Sequence, residues 1–485
     1  MQVSLDGSEQ KHLREIAARI VKDEPALIAT EAFGENTSAG MTNGPILIIG
    51  DHREIALSKP TGCELYEYRL SLLAREGDLV AISGGRSPDF EAYREDILRL
   101  GAAKYVEPRH ASVDHSVCLA DRCRLDERAF HQIVKLAKRD GSLTIVPHIG
   151  MGSAWVLAGT VEKASGCEVR VAAPPPRLTR RANDKLWFAE RVRQVLGRTA
   201  LPPVRGAYGP AALTGQIRAL ASLYDRIVVK VPDSAGSMGN LSLWSSDIRG
   251  VPLPQLRRRL VNLLRDLGWK DRYPLLVEVW DCPVLSSPSV QIWIPNQQDG
   301  PPVLEGIFEQ IVQGIGGEFI GAAPAQLPSA WRARLSSEAL QLATLLQYCG
   351  YFGRCSFDSV ITGVGYGNSD LHWIECNGRW GGVSIPMTVI NRLTGDWARR
   401  SFVVVHRSHQ PTRPRKLRHA LETLKNDLFR TGQNSEGVIV LTPTGIENGT
   451  GVNLAALGRT ADEARQVAER GVKALTGIDD ERTPQ

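Results

Sequence analysis

Short apolar runs in the first third of the chain limit its fold more than any other feature. Ile46–Gly50 (ILIIG), Leu79–Gly84 (LVAISG), Leu143–Pro147 (LTIVP) and Glu168–Ala173 (EVRVAA) are each five or six residues long. Longer stretches with helical spacing lie between them, among them Phe90–Leu100 and the segment after Gly150-Met151-Gly152. A strand that is apolar on both faces must be covered on both, and helices alternating with strands do this in a parallel sheet. A short strand near Lys104–Val106 fits the same series. Residues 1–174 are therefore expected to form an α/β layer. The turn Gly150-Met151-Gly152-Ser153 is half of a dinucleotide fingerprint. The third glycine is missing, and plain strand–helix packing accounts for the pair.

A chain of 485 residues is too long for one ordinary core, and two to four domains are expected. The proline run Pro174-Pro175-Pro176 marks a boundary. Residues 175–295 read as mixed helix and strand, and residues 296–400 as helices leading into two strands. A basic stretch, His406–His419, introduces a tail over 401–485 with a strand at Gly437–Leu441 and a helix at Ala461–Leu475. That basic stretch reads as a solvated connector, with contact to an anionic ligand as the alternative. The net charge of +5, with 23% charged and 42% hydrophobic residues, carries no nucleic-acid or membrane footprint. The polar start lacks an apolar signal core, and no apolar run approaches the roughly 18 residues of a membrane span. A cytoplasmic protein is expected, and its eight cysteines, without a repeated CxxC pair, are expected to be reduced thiols rather than zinc ligands.

Three segments carry chemistry. In Asp225–Gly239 (DRIVVKVPDSAGSMG), Lys230 sits within an apolar strand, where an ammonium is costly without an anion. The loop that follows, with Gly236, Ser237, Met238 and Gly239, suits backbone N–H groups closing on phosphate oxygens. It lacks the P-loop pattern, and a hairpin with a lysine reaching for solvent explains the same letters. Ser356–Thr362 (SFDSVIT) and Leu371–Gly378 (LHWIECNG) read as two strands joined by a glycine-rich turn. Alternation puts Glu375 and Asn377 on one face, and hairpin pairing brings Asp358 beside them, a hard-oxygen set suited to magnesium carrying phosphates. Arg379 reaches over the same face. A solvated sheet face with incidental acids is the plain alternative, and the apolar flanks argue against it. Pro274–Asp281 (PLLVEVWD) reads as an apolar strand whose backbone offers groups to a planar base.

In this order the segments resemble the ATP-grasp superfamily. Asn183-Asp184-Lys185 resembles its first phosphate-contacting lysine, RIVVKVPDSAGSMG its second lysine and covering loop, LLVEVWD its adenine hinge, and FDSVI with WIECNGRWGG its metal-binding strand pair. The resemblance spans residues 180–385. With the α/β region before it and the tail VIVLTPTGIENGTGVNLAALGRT after it, the chain is most similar to the pheganomycin-type peptide ligase group. The resemblance implies a Rossmann-like pre-ATP-grasp domain (1–174), a two-lobed ATP-grasp domain (175–400, lobes about 175–295 and 296–400) and a small C-terminal α/β region (401–485). It assigns Lys185 and Lys230 to ATP phosphates, Gly236, Ser237, Met238 and Gly239 to the lid, and Glu278 and Val279 to adenine. Asp358, Glu375 and Asn377 would bind magnesium, with manganese as a substitute, and Arg379 the transferring phosphoryl group. The family's ribose-binding acid has no counterpart in Cys282–Ser289, so Asp281 would stand in for it. The implied activity is ADP-forming ligation of a small carboxylate to an amine or peptide through an acyl phosphate, in specialised-metabolite (antibiotic) peptide biosynthesis, with a homodimer compatible. A thiol or bicarbonate acceptor, or an ATP-binding module without turnover, would share these motifs.

Overall fold

The computed structural model describes residues 4–55, 57, 63–109, 117–236, 238–314, 317–407 and 413–477. Ser237 of the glycine-rich loop and residues 408–412 of the basic stretch lie outside the described residues.

The apolar runs of the first third form a six-stranded parallel sheet in the order 37–39, 168–171, 142–147, 46–49, 79–81, 104–106. Side chains alternate between its faces. Leu47, Ile49, Leu143 and Ile145 pack beneath the helices Glu127–Asp140 and Gly152–Ser165, around Ile133 and the fully buried Trp155. Ile48, Val80 and Val146 face the opposite way, into a core shared with Tyr68 and Leu70 of the helix Cys63–Ser71. That helix lies very close to the strand end. A Cβ on Gly50 would sit 2.4 Å from the Glu67 Cα, so only glycine permits the approach.

Residues 204–279 build a second unit. Strands Val204–Ala207, Leu275–Val279, Arg226–Lys230 and Asn240–Trp244 form an antiparallel sheet in that order. One face carries Ile227, Val229, Leu275 and Val277 against Leu213, Ile217, Leu256 and Leu260 of two helices, a core of its own. The other face carries Val228, Lys230 and Glu278 into a cleft.

Across the cleft lies a nine-stranded sheet, running 284–286, 353–363, 288–294, 303–313, 318–324, 401–407, 452–458, 437–440, with 369–377 paired to 353–363. The expectation of helices leading into two strands over 296–400 is corrected here. Val303–Gln313 and Glu318–Pro324 are long strands, and Ser329–Tyr348 is the helix. Leu304, Ile307, Phe308 and Ile311 imitate helical spacing because a bulge brings Leu304 and Ile307 to one core while Phe308 and Ile311 meet another. Gln291 pairs with Gly306 and Ile292 with Leu304, which leaves Glu305 unpaired and shifts the alternation by one residue. The tail adds three strands to this sheet, of which sequence reading identified only Gly437–Val440. Its buried residues from Val438 to Leu475 share one core with the parallel sheet.

The helix Gly7–Asp23 starts at a capping box between Asp6 and Glu9 and turns Leu13, Ile16, Ala17 and Ile20 into the core around the helix Ser329–Tyr348. No helix among the described residues is long and apolar enough to cross a membrane.

Candidate functional site

The pairing of Gly353–Gly363 with Ser369–Asn377 sets Asp358 directly opposite Glu375 and Ser356 opposite Asn377. Asn377 Nδ2 donates to Asp358 Oδ2 at 2.8 Å, and Ser289 Oγ donates to Asp358 Oδ1 at 2.6 Å. Gln291 Nε2 in turn donates to Ser289 Oγ at 2.9 Å. Burial, and then the facing Glu375 carboxylate, push the Asp358 carboxyl up to about 7. Burial would also raise Glu375, but Lys185, with Arg379 and Lys230 beyond it, brings it below the ordinary carboxylate range. Two half-buried carboxylates held face to face, one reluctant to ionise, fit a divalent cation that would let both carry charge. No group of three or more His, Cys, Asp or Glu side chains among the described residues is placed to hold a metal ion, so the donor set is two carboxylates and an amide. Such a set leaves coordination positions for phosphate oxygens and water, as magnesium prefers.

Both lysines singled out in the sequence reach the same cleft. Asp184 caps the helix Lys185–Leu196 by accepting from Leu186 N at 2.9 Å and Trp187 N at 3.0 Å, so Lys185 is the first helical residue. Its Nζ lies 3.0 Å from Glu375 Oε2, 3.0 Å from the Ser234 carbonyl and 3.3 Å from Ser234 Oγ. Lys230 Nζ lies 2.5 Å from Glu278 Oε1, both side chains buried. Burial raises Glu278 and the Lys230 charge pulls it back. The anion that Lys230 requires is thus Glu278 in this structure. The loop between the lysines turns at Gly236, whose φ of 63° favours glycine, and it is tied to the first region by Ala235 N donating to the Leu57 carbonyl at 3.0 Å. Val231 N donates to the Gly239 carbonyl at 2.9 Å and Met238 N to the Ala235 carbonyl at 3.3 Å, closing the turn.

The adenine-hinge reading of Leu275–Val279 meets a geometric difference. Both edges of the strand are paired, and Val279 N donates to the Pro203 carbonyl at 3.0 Å, so that amide is already engaged. The Glu278 side chain faces Lys230. Val279, Trp280 and Asp281 do line the cleft. The Asp281 carboxylate, expected at a ribose, lies 2.9 Å from His372 Nδ1.

Arg379 Nη1 donates to Asn183 Oδ1, which also accepts from Gly378 N at 3.1 Å. Asn183 therefore orients Arg379, a role not read from the sequence. Ser289 and Gln291 were also missed. Their signal was present in PSVQIWI, where polar residues alternate with Val290 and Ile292. Lys185, Lys230, Gly236, Glu278, Val279, Asp281, Asp358, Glu375, Asn377 and Arg379 line one cavity of about 1130 Å³. Its further wall belongs to the first region, through Tyr66, Arg69 and His148, and to the tail, through Thr444 and Asn453.

No family model matches this chain, and no curated protein matches it in sequence. Solved structures do match its fold. An ADP complex of purK, N5-carboxyaminoimidazole ribonucleotide synthetase, aligns over 89% of this chain and 97% of its own at 13% identity and a TM-score of 0.53. Biotin carboxylase from Campylobacter jejuni, as a β-γ-ATP complex, aligns over 92% of each chain at 14% identity and a TM-score of 0.53. N5-carboxyaminoimidazole synthase from Aspergillus clavatus, with ADP and 5-aminoimidazole ribonucleotide, aligns over 90% of this chain and 100% of its own at 12% identity and a TM-score of 0.52. The chain has the ATP-grasp fold of these enzymes: a Rossmann-like parallel layer, two lobes around a cleft and a C-terminal α/β segment.

Proposed function

We propose that this chain is an ADP-forming ligase that uses ATP and magnesium to activate a carboxylate and join it to an amine, an amino acid or peptide being the expected partner. The observation that carries the reading is the convergence of Asp358, Glu375 and Asn377 with Lys185, Lys230 and Arg379 on a single cleft between two lobes. Asp358, Glu375 and Asn377 would hold magnesium, which when bound neutralises charge on the phosphate oxygens. Lys185 and Lys230 would meet the phosphate chain, sharing their charge between it and Glu375 and Glu278. Arg379, aimed by Asn183, stabilises charge on the phosphoryl group in transfer. The loop around Gly236 closes over the nucleotide and keeps water from the acyl phosphate. An amine attacking the acyl carbon then releases phosphate. A specialised-metabolite peptide pathway is the setting that the similarity to pheganomycin-type ligases supports.

A second reading has bicarbonate as the activated acid, favoured by the fold shared with a carboxylase and a carboxyaminoimidazole synthetase. One assay separates the readings. The enzyme is incubated with ATP, magnesium and a panel of amino acids, dipeptides and bicarbonate, and nucleotide products and hydroxamates are measured. ADP and phosphate released on addition of an amino acid or dipeptide, with a hydroxamate trapped by hydroxylamine, are the expected result. AMP and pyrophosphate would overturn the mechanism, because the cationic groups converge where a γ-phosphoryl group moves rather than at the α-phosphate. ADP formation stimulated by bicarbonate alone would favour the second reading.

A further inference from the structure

The nucleotide end of the cavity answers each buried cation with a carboxylate, and the first-region end does not. Arg69 is 2% exposed, and no ion pair joins it to any carboxylate among the described residues. Its Nη2 donates to the Gly382 carbonyl at 2.8 Å, and its Nε has no hydrogen-bond partner among the described residues. Burial is the main influence on this guanidinium, lowering its affinity for the proton, with only the Tyr66 hydroxyl acting against it. The contrast with Arg53 nearby is direct, since Arg53 Nη1 sits 3.1 Å from Asp51 and 4.0 Å from Glu67.

His148 completes the picture. It is 2% exposed, and neither ring nitrogen has a hydrogen-bond partner among the described residues. Burial, then His52 and Arg379, hold its imidazole neutral well below the ordinary histidine range, against the Asp51 backbone, with Arg69 adding a smaller effect in the same direction as burial. Its ring lies 4.3 Å from that of Tyr66, over which the Arg69 guanidinium sits at 5.8 Å. Both residues are bonded to the turn that continues from Asn377. Trp380 N donates to the His148 carbonyl at 3.1 Å, and Arg69 reaches Gly382. They therefore line the cavity on the same side as Arg379, whose charge acts on the His148 ring.

A fully buried guanidinium without an anion is unfavourable by several kcal/mol, and the cost is recovered when an anion enters. A neutral imidazole supplies one N–H, and Arg69 Nε supplies another. Two free donors match the two oxygens of a carboxylate better than the three of a phosphate ester. We propose that Arg69 and His148 form a carboxylate subsite for the non-nucleotide substrate, holding a carboxylate at the first-region wall of the cavity. The subsite rests on the ligase reading for its purpose but not for its existence. In a peptide ligase it would hold the carboxylate that the amine-bearing amino acid keeps throughout the reaction. The amine substrate would then be an amino acid or peptide with a free C-terminus.

The test uses the full chain, with acetate and inorganic phosphate as probes and ADP with magnesium as a separate ligand. Binding is read from the thermal unfolding midpoint at constant ionic strength and by calorimetry. Acetate is expected to bind the wild type in the millimolar range, at least tenfold more tightly than it binds Arg69→Met or His148→Leu, with ADP affinity within twofold in all three proteins. The His148 ring has no hydrogen-bond partner among the described residues, so its variant keeps the test open if Arg69→Met fails to fold. Acetate binding equally to wild type and to His148→Leu, or not at all, overturns the subsite. With ADP and magnesium bound, a phosphate affinity that falls more than acetate affinity in Arg69→Met and His148→Leu overturns the carboxylate assignment. Loss of ADP binding by the wild type would instead count against the ligase reading. In the turnover assay, a dipeptide acceptor should be used at least tenfold better than the same dipeptide amidated at its C-terminus, and equal use also overturns the proposal.

Discussion

The two ends of the cavity handle buried charge in opposite ways. At the end proposed for the nucleotide Lys185 meets Glu375 at 3.0 Å and Lys230 meets Glu278 at 2.5 Å, so the walls are internally neutralised. At the first-region end Arg69 lies buried, and no ion pair joins it to a carboxylate among the described residues. The difference separates what folding needs from what binding needs. Paired charges stabilise the cleft before any ligand arrives and must share their partners when phosphate enters. An unpaired charge is a standing cost to the fold and is compensated by what binds there.

The comparison breaks most visibly at Glu375. Glu375→Ala removes both the partner of Lys185 and an expected magnesium ligand. Turnover should fall about 100-fold or more with the circular dichroism of the wild type, and the unfolding midpoint should drop because Lys185 is left buried without its carboxylate. Asn377→Ala is expected to lose turnover alike, with its unfolding midpoint near wild type. Turnover close to wild type at saturating magnesium would remove the metal assignment.

Lys230→Met leaves Glu278 buried without a cation. ATP affinity or turnover should drop about tenfold or more, about 1.4 kcal/mol, and the fold should lose roughly 3–5 kcal/mol. Adding Glu278→Leu should restore stability and leave ATP binding impaired, because only the structural half of the pair is mended. If the double variant binds ATP normally, the pair is structural and nothing more.

A pH experiment sharpens the contrast on the first-region side. Burial pushes the Glu67 carboxyl from 4.5 up to about 7, although the Ser83 amide and hydroxyl donate to it at 2.7 and 2.5 Å. The folded state therefore favours the protonated acid. Its contribution to stability is fully present below pH 4.5 and is lost as pH rises through 7. Between those limits Glu67→Gln should flatten the stability profile relative to wild type by about 3 kcal/mol at most. Denaturant midpoints from pH 4 to 8 measure it, and parallel profiles would show that Glu67 ionises freely.

The smallest effect is expected at Asp184, which holds the start of the helix bearing Lys185. Asp184→Ala should cost about 1 kcal/mol of stability and Asp184→Asn much less. ATP affinity should change less than twofold, since Lys185 is fixed by Glu375 and Ser234 as well as by the cap. A larger loss of affinity would mean that the cap positions the lysine.

What the sequence revealed follows from how locally each feature is encoded. The parallel strands are apolar on both faces and announce themselves in five or six letters. Glu375 and Asn377 share a face by simple alternation, and their hairpin partner Asp358 is close in the chain. Val303–Gln313 misled because a bulge at Glu305 and apolar cover on both faces together imitate a helix. The engaged amide of Val279 was invisible because Pro203, which takes it, lies far from the hinge in sequence. The Arg69 and His148 wall could not be seen either. Nothing near either residue marks it, and only the packing of the first region on the turn after Asn377 brings them together.

The shared core of the first and last segments has a consequence in time. Ile48, Val80 and Val146 find part of their cover among Val438, Leu454 and Val472, residues made much later in synthesis. The strand Glu318–Pro324 likewise waits for Ser401–Arg407 before its outer edge is paired. At roughly 5–20 residues per second, a ribosome leaves that edge open for seconds and one face of the parallel sheet open for longer. A chain interrupted before residue 400 would therefore present an unpaired strand and bare apolar surface together, the two features that drive aggregation.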